Sequence, residues 1–268
     1  MKKLETDYFI ISYEDDLEDF IQNSLKLFDN RLKLLKNIFK EKLKELDKTE
    51  CAFFTERKDF ENYIKEISNG QTPPSWATGC FYNDGIQVIV NKNFSQELIK
   101  RQDTLIHEFT HICINNLIYI PFKIPRVRWL DESFACYVDG HLDKFSDEEF
   151  KIGCENIKKY FSGFDMNYLN DIENVNKMSN ASYQMFDIIG KYIFENNLQE
   201  KYLNLLKTDE KQIRKIGCSI LEKSIKYFEN STKQKESLTK IWDSFFILLD
   251  KKLNMLLFFC YFIYNFSH

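Results

Sequence analysis

The sequence lacks the features of several large protein classes. Its seven cysteines are an odd number and form no C-x-x-C pair, which argues against a disulfide framework and against a cysteine metal site. It has no basic block and a net charge of -4, so we expect no nucleic-acid partner. The start, MKKLETDYFI, reaches Glu5 and Asp7 before any apolar run and does not resemble a signal peptide. Free thiols without an export signal predict a cytoplasmic protein.

The run Leu253 to Phe266 is strongly apolar but spans only about 14 residues, whereas a membrane helix needs about 20. We interpret it as a helix that closes the core. A membrane contact and a partner's groove are the alternatives. The apolar content of 44% is ample for a packed core.

The segment Asp103 to Cys113 reads DTLIHEFTHIC and contains the pattern H-E-x-x-H. Residues four apart share one face of an α-helix, so His107 and His111 can bind a single metal ion, with Glu108 facing the open side of that ion. A catalytic zinc ion has three protein ligands and keeps its fourth position for water. The pattern therefore predicts a third ligand further along the chain.

The best candidate for the third ligand is Glu132, in the segment Trp129 to Ala135, WLDESFA. Glu132 follows His111 by 21 residues. This distance allows the first helix to end, the chain to turn over Ile120 to Pro125, and a second helix to return antiparallel. The expected zinc ligands are therefore His107, His111 and Glu132.

The two motifs resemble those of the gluzincin class of zinc metallopeptidases, also called the peptidase MA-like group, whose second motif reads W-L-x-E-G-x-A. Trp129, Leu130, Glu132 and Ala135 match it. Ser133 stands where the family usually has glycine, which affects the packing there more than the ligand. The resemblance covers about residues 75 to 200.

This resemblance implies an α+β, zincin-like fold with a small mixed sheet, N-terminal helices and a mostly helical C-terminal lobe. The expected lobes are residues 1–120, ending in the H-E-x-x-H helix, and residues 121–268, carrying the third ligand. The active-site cleft would lie between them in one catalytic unit.

The resemblance also implies a zinc-dependent metallopeptidase acting on a peptide or protein substrate. Zinc would lower the pKa of its bound water far below that of bulk water, to about 7. Glu108 would take the proton of this water and pass it to the leaving amine. Tyr183 is the first choice for the donor that stabilises the oxyanion. His141, nine residues beyond Glu132 and expected on the same helix, is the alternative.

Three further expectations concern the surroundings of the metal. Asp131 stands where gluzincins often carry Asn or Asp and should orient His111. The predicted strand Ile86 to Val90 occupies the place of the family's substrate-binding sheet edge, so Gln87 and Val88 are expected to contact substrate, although an ordinary strand is as consistent with the pattern. The preceding GCFYN lacks the carboxylate of the G-x-M-E-N segment of gluzincin aminopeptidases, which argues against a general aminopeptidase, and a replacement by Asp84 is the alternative.

Two other functions stay open at this point: a catalytically inactive zincin-fold domain that binds a protein partner, and a zinc hydrolase of non-peptide amides. Hydrophobic periodicity predicts the remaining elements. The predicted strands are 8–13 and 50–55, the predicted helices are 17–46, 58–67, 147–161, 182–195, 200–207, 211–228 and 237–253, and the polar, Asn-rich stretch 163–181 is predicted to be a loop over the site.

Overall fold

The computed structural model describes residues 2–72, 79–82, 85–89, 102–144, 146–161, 163–178 and 180–231. The chain forms two compact units, Met1–Ser224 and Ile225–His268. In the second unit residues 225–231 are helical. The predicted helices at 237–253 and 253–266 lie outside the described residues. Within the described ranges, no helix combines the length and the apolarity needed to cross a membrane.

The first unit is an α+β fold with a small mixed sheet, as predicted. The strands lie in the order β1-β2-β3-β5-β4. β2, β3 and β5 are parallel to one another, while β1 and β4 pair antiparallel at the two sides. The strands are β1 at Lys2–Glu5, β2 at Phe9–Tyr13, β3 at Thr49–Phe54, β4 at Gly79–Tyr82 and β5 at Gly85–Ile89.

The strand predicted at 86–90 is β5, and it lies inside the sheet. Gln87 and Val88 are paired with β3 on one side and with β4 on the other. The sheet order therefore contradicts the expectation that these two residues lie at a free edge, because their main-chain groups face strands on both sides. β4 is the outermost described strand on this side of the sheet.

Most of the first unit is helical. α1, at Glu18–Phe39, is followed by a 3₁₀ helix at Lys40–Glu45. The predicted helix 17–46 is therefore present, but its last part is a 3₁₀ helix. The predicted helices at 58–67, 147–161, 182–195 and 200–207 are also confirmed, with small changes at their ends. The helices are α1 at Glu18–Phe39, α2 at Arg57–Ile67, α3 at Thr104–Ile114, α4 at Arg128–Asp139, α5 at Asp147–Phe161, α6 at Ile172–Met178, α7 at Asn180–Glu195, α8 at Gln199–Thr208 and α9 at 210–224.

An aromatic cluster fixes α3, the helix of the H-E-x-x-H pattern, on the sheet. Phe9 of β2, Phe28 of α1 and Phe109 of α3 are all buried, with ring centroids 4.7 to 5.2 Å apart and edge-to-face geometry. Burying side chains of this size stabilises a fold by about 1.5–3 kcal/mol each. Because Phe109 lies between the two histidines in sequence, the cluster also fixes the face of α3 that carries them.

A tyrosine side chain helps to hold the chain between α3 and α4. α3 continues as a π-helix at Asn115–Tyr119 and a last turn at Ile120–Phe122, so the predicted turn over 120–125 begins later than expected. The Tyr119 hydroxyl donates to the carbonyl of Val127 at 3.3 Å and accepts from its N–H at 3.2 Å. This clasp closes the connection and starts α4 beside α3.

α4 and α7 pack closely because small residues meet at their contact. A side chain at Gly190 of α7 would clash with the carbonyl of Ser133 on α4. Ser133 itself is fully buried and donates its hydroxyl to the carbonyl of Trp129 at 2.6 Å. The serine that departs from the family pattern is therefore accommodated, and the close approach comes from the glycine on the facing helix.

The prediction of a loop at 163–181 is wrong. Residues Met166–Asn170 form a 3₁₀ helix, and α6 follows at once. Asp165 accepts a hydrogen bond from the Asn167 N–H at 2.9 Å, and Asp171 accepts one from the Glu173 N–H at 2.9 Å. The polar residues of this stretch are helix caps, a role that Asp and Asn favour as strongly as loops.

Candidate metal centre

The two histidines of α3 lie side by side with their inner nitrogens facing each other. Nε2 of His107 is 3.2 Å from Nε2 of His111, as expected for residues one turn apart on one helix face. His111 is buried, and His107 keeps 15% of its side chain exposed. The pair is therefore more exposed at His107 than at His111.

α4 brings the carboxylate of Glu132 to the same point. Its Oε2 lies 3.7 Å from Nε2 of His107 and 3.5 Å from Nε2 of His111. A zinc ion with bonds of about 2.0–2.1 Å and tetrahedral angles separates its ligand atoms by about 3.4 Å. The three atoms form a triangle of this size. Among the described residues, these three form the group of His, Cys, Asp and Glu side chains close enough to share an ion.

A carboxylate holds the outer nitrogen of each imidazole. Nδ1 of His111 lies 3.0 Å from Oδ1 of Asp131, the residue expected to orient it. Nδ1 of His107 lies 2.6 Å from Oδ2 of Asp139. A carboxylate accepts, so Asp131 and Asp139 each favour a proton on Nδ1 and leave Nε2 facing the shared point. Nη2 of Arg126 also lies 3.2 Å from Nδ1 of His111.

Asp139 was missed in the sequence analysis. It lies seven residues after Glu132 and therefore two turns further on the same face of α4. This seven-residue spacing from Glu132 is the feature of the sequence that could have identified Asp139. Its other oxygen accepts the backbone N–H of His141 at 2.6 Å.

Two arginines, also missed, bind the far oxygen of Glu132. Nη2 of Arg126 lies 3.3 Å and Nη1 of Arg128 3.2 Å from Oε1, so only Oε2 faces the histidines. Arg126 also donates to Asp131. Arg128 precedes Glu132 by four residues, a spacing that favours ion pairs on a helix and was readable in the sequence.

The carboxylates determine the charge of this cluster. Burial alone would lower the pKa of His107, but its hydrogen bonds with Asp139 and Glu132 raise it well above the ordinary value. Burial also opposes the charged form of His111, yet the nearby Asp131 and Glu132 raise its pKa to about 9. Burial disfavours the charged Glu132 as well, but the two histidines hold its pKa well below its usual range. Without a cation, both imidazoles thus carry protons that a metal ion must displace.

Glu108 is buried beside the triangle, with 9% of its surface exposed. Within the described part of the chain, its carboxylate has no hydrogen-bond partner. Burial and the charges of Glu132 and Glu108 raise the pKa of Tyr183 well above its ordinary value. Tyr183 therefore lies within electrostatic reach of both carboxylates and keeps its proton at neutral pH.

His141 is not on the helix of Glu132, contrary to the prediction. α4 ends at Asp139, Gly140 takes the left-handed conformation with φ 78°, and His141 begins a 3₁₀ turn. A glycine just past a helix end is a common stop signal. Nδ1 of His141 lies 2.9 Å from Oδ2 of the buried Asp187 on α7. This contact anchors the 3₁₀ turn that begins at His141. The backbone N–H of His141 in turn donates to Asp139.

The triangle is a group of side chains that could hold a metal ion. No model of a known protein family matches the chain, and no curated protein matches its sequence. The likeness to gluzincins therefore depends on the two motifs and on the arrangement of the residues they contain.

We expect the stability of the metal-free protein to fall between about pH 6.5 and about pH 9. The folded-state pKa of His111 is about 9 against an ordinary 6.5, so its protonation stabilises the fold fully below pH 6.5, and this contribution is lost as the pH rises through 9. Thermal unfolding of chelator-treated protein over this range measures the effect. His111→Gln should flatten the profile. A melting temperature that stays constant across this range in the unmodified chain would contradict the assignment.

Proposed function

We propose that this chain is a zinc-dependent metallopeptidase with a zincin-like fold. One observation carries the proposal: two imidazole nitrogens and one carboxylate oxygen lie 3.2 to 3.7 Å apart, while carboxylates hold both outer nitrogens of the histidines. Two lone pairs that face each other this closely repel, unless a proton or a cation lies between them. A cation bound there would have three protein ligands and an open position, the arrangement of catalytic rather than structural zinc sites.

The charges around the triangle favour a divalent cation. Four carboxylates are buried there, those of Glu108, Asp131, Glu132 and Asp139. The guanidinium groups of Arg126 and Arg128 offset two of these charges. With both imidazoles neutral, two negative charges are left, which a divalent ion would neutralise. Two imidazole ligands favour zinc over magnesium or calcium, which prefer oxygen.

The residues around the triangle have the chemistry that hydrolysis requires. Zinc, when bound, supplies the Lewis acidity that makes water a nucleophile at neutral pH. Glu108 accepts the proton of the attacking water and delivers it to the leaving amine, because its carboxylate is beside the ligands without being one of them. Tyr183 keeps its proton and donates a hydrogen bond to the oxyanion as the carbonyl becomes tetrahedral.

The position of β4 supports an extended peptide as the substrate. β4 runs antiparallel to β5 on the outer side of the sheet, and its backbone lies against α3. A peptide added to such a strand would gain main-chain hydrogen bonds that do not depend on its side chains. Since residues 79–83, GCFYN, lack the glutamate that the G-x-M-E-N segment of gluzincin aminopeptidases uses to bind a free amino end, cleavage within a peptide chain is the favoured reaction.

A peptide-library digest with and without chelator tests this function. We expect internal cleavage by the purified protein, its loss after chelation and its return with about one equivalent of zinc. The same sample should contain about one zinc ion per chain by elemental analysis. Cleavage that persists in chelator, or a folded protein that neither contains nor takes up zinc, would contradict the proposal.

A further inference from the structure

We propose that Arg126 and Arg128 form a clamp that restricts Glu132 to binding the metal through one oxygen. We call these two residues the arginine clamp. The inference rests on the proposed zinc site and concerns positioning, since neither arginine is a ligand or a proton donor in the reaction. It explains why two positively charged guanidinium groups lie beside the residues that are proposed to bind a metal cation.

The two oxygens of Glu132 have separate partners. Oε1 accepts from Nη2 of Arg126 at 3.3 Å and from Nη1 of Arg128 at 3.2 Å. Oε2 faces the histidines at 3.5 and 3.7 Å. Glu132 is only 6% exposed, so Oε1 depends mainly on these two guanidinium groups for its hydrogen bonds. The carboxylate is therefore fixed in rotation as well as in position.

Each arginine of the clamp is itself anchored on a different element. Nε of Arg126 donates to Asp131, and its carbonyl accepts from Nη2 of Arg214 on α9 at 3.1 Å. The backbone N–H of Arg128 donates to Oδ1 of Asn170 at 2.9 Å, and its Nε donates to the carbonyl of Asn170 at 3.4 Å. These contacts hold the guanidinium groups independently of any ion, so the clamp is present before metal binds.

The consequence concerns the number of ligands. A carboxylate that is free to rotate can bind a cation through both oxygens and so occupy the position needed by water. With Oε1 held by two guanidinium groups, Glu132 offers one oxygen, and the protein supplies three ligand atoms. The fourth position is then left for water, as catalytic zinc requires.

Cobalt substitution tests the clamp without measuring activity. Four-coordinate cobalt(II) absorbs visible light much more strongly than five- or six-coordinate cobalt(II), so the spectrum reports ligand number. We compare the unmodified chain with the double variant Arg126→Gln, Arg128→Gln and with each single variant. Arg57→Gln, the same change on α2 where Arg57 pairs with Glu61, is the control. Circular dichroism verifies that each variant folds. If the double variant does not fold, a single variant is used in its place.

We expect the visible band of the cobalt-loaded double variant to weaken at least about two-fold and its zinc affinity to fall about ten-fold, the lower end of the losses seen when residues behind a ligand are removed. The control should match the unmodified chain. An unchanged cobalt band would overturn the clamp, even if the KM for a peptide rises, since the arginines would then act on substrate. If the unmodified chain binds neither cobalt nor zinc, the proposed function fails instead.

Discussion

Glu108→Gln should keep about one zinc ion per chain and lose peptide hydrolysis. Glutamine has the shape of glutamate but cannot accept the proton of the attacking water, and loss of a general base lowers kcat by about 10²–10⁴-fold. Glu108 contributes no atom to the triangle of ligands, and within the described residues its carboxylate makes no hydrogen bond that the amide would break. Metal content should therefore be unaffected.

Steady-state cleavage of a peptide identified in the library digest measures the loss, with elemental analysis on the same preparation. Glu61→Gln makes the same chemical change on α2, where Glu61 pairs with Arg57, and should leave kcat unchanged. Equal cleavage by Glu108→Gln and the unmodified chain would exclude Glu108 as the base. Loss of zinc from Glu108→Gln would show that it acts on the ion instead.

Glu132→Ala should lose zinc and also weaken the fold. The change removes one of three ligand atoms, so we expect zinc affinity to fall by more than the roughly 100-fold that marks the upper end for residues behind a ligand. It also removes the carboxylate that accepts from Nη1 of Arg128, a guanidinium that is 17% exposed and keeps its contact with the carbonyl of Asn170. Losing a hydrogen bond to a charged group costs about 1.5–3 kcal/mol.

Competition with a chromophoric chelator measures the affinity, and urea unfolding of metal-free protein measures the stability. Glu200→Ala is the matched control, because its pair with Lys40 is exposed at the surface, where such pairs contribute little. Zinc binding by Glu132→Ala equal to that of the control would remove Glu132 from the ligand set. An unchanged free energy of unfolding would show that Arg126 and Arg128 do not need Glu132 as a partner.

The helices and the histidine pair could be predicted because their signals are local. The period of apolar residues in α1 and the four-residue spacing of His107 and His111 do not depend on the rest of the chain. The α+β class was implied by the resemblance to gluzincins, which depends on two short motifs that are also local. What Glu132 contacts depends on how α4 packs on α3, and only the three-dimensional arrangement places its carboxylate at the two imidazoles.

The missed features depend on tertiary pairing. β1 and β4 are four-residue strands whose sequences carry little pattern, so β5 was wrongly expected at the edge. The Asn83-Asp84-Gly85 sequence between β4 and β5 is a common hairpin signal that would have placed β5 inside. Arg126 and Asp139 contact their partners across a loop and between helices, and sequence spacing alone does not identify such pairs.

The Tyr119 clasp bears on how quickly the proposed zinc ion could bind to the site and leave it. Because the hydroxyl of Tyr119 and the backbone of Val127 already fix the connection between α3 and α4, loading requires no refolding of either helix. A metal ion would only have to displace the protons of the two imidazoles and bind side chains that are already oriented. Uptake should then be limited by deprotonation of the two imidazoles, and it should be faster in alkaline solution.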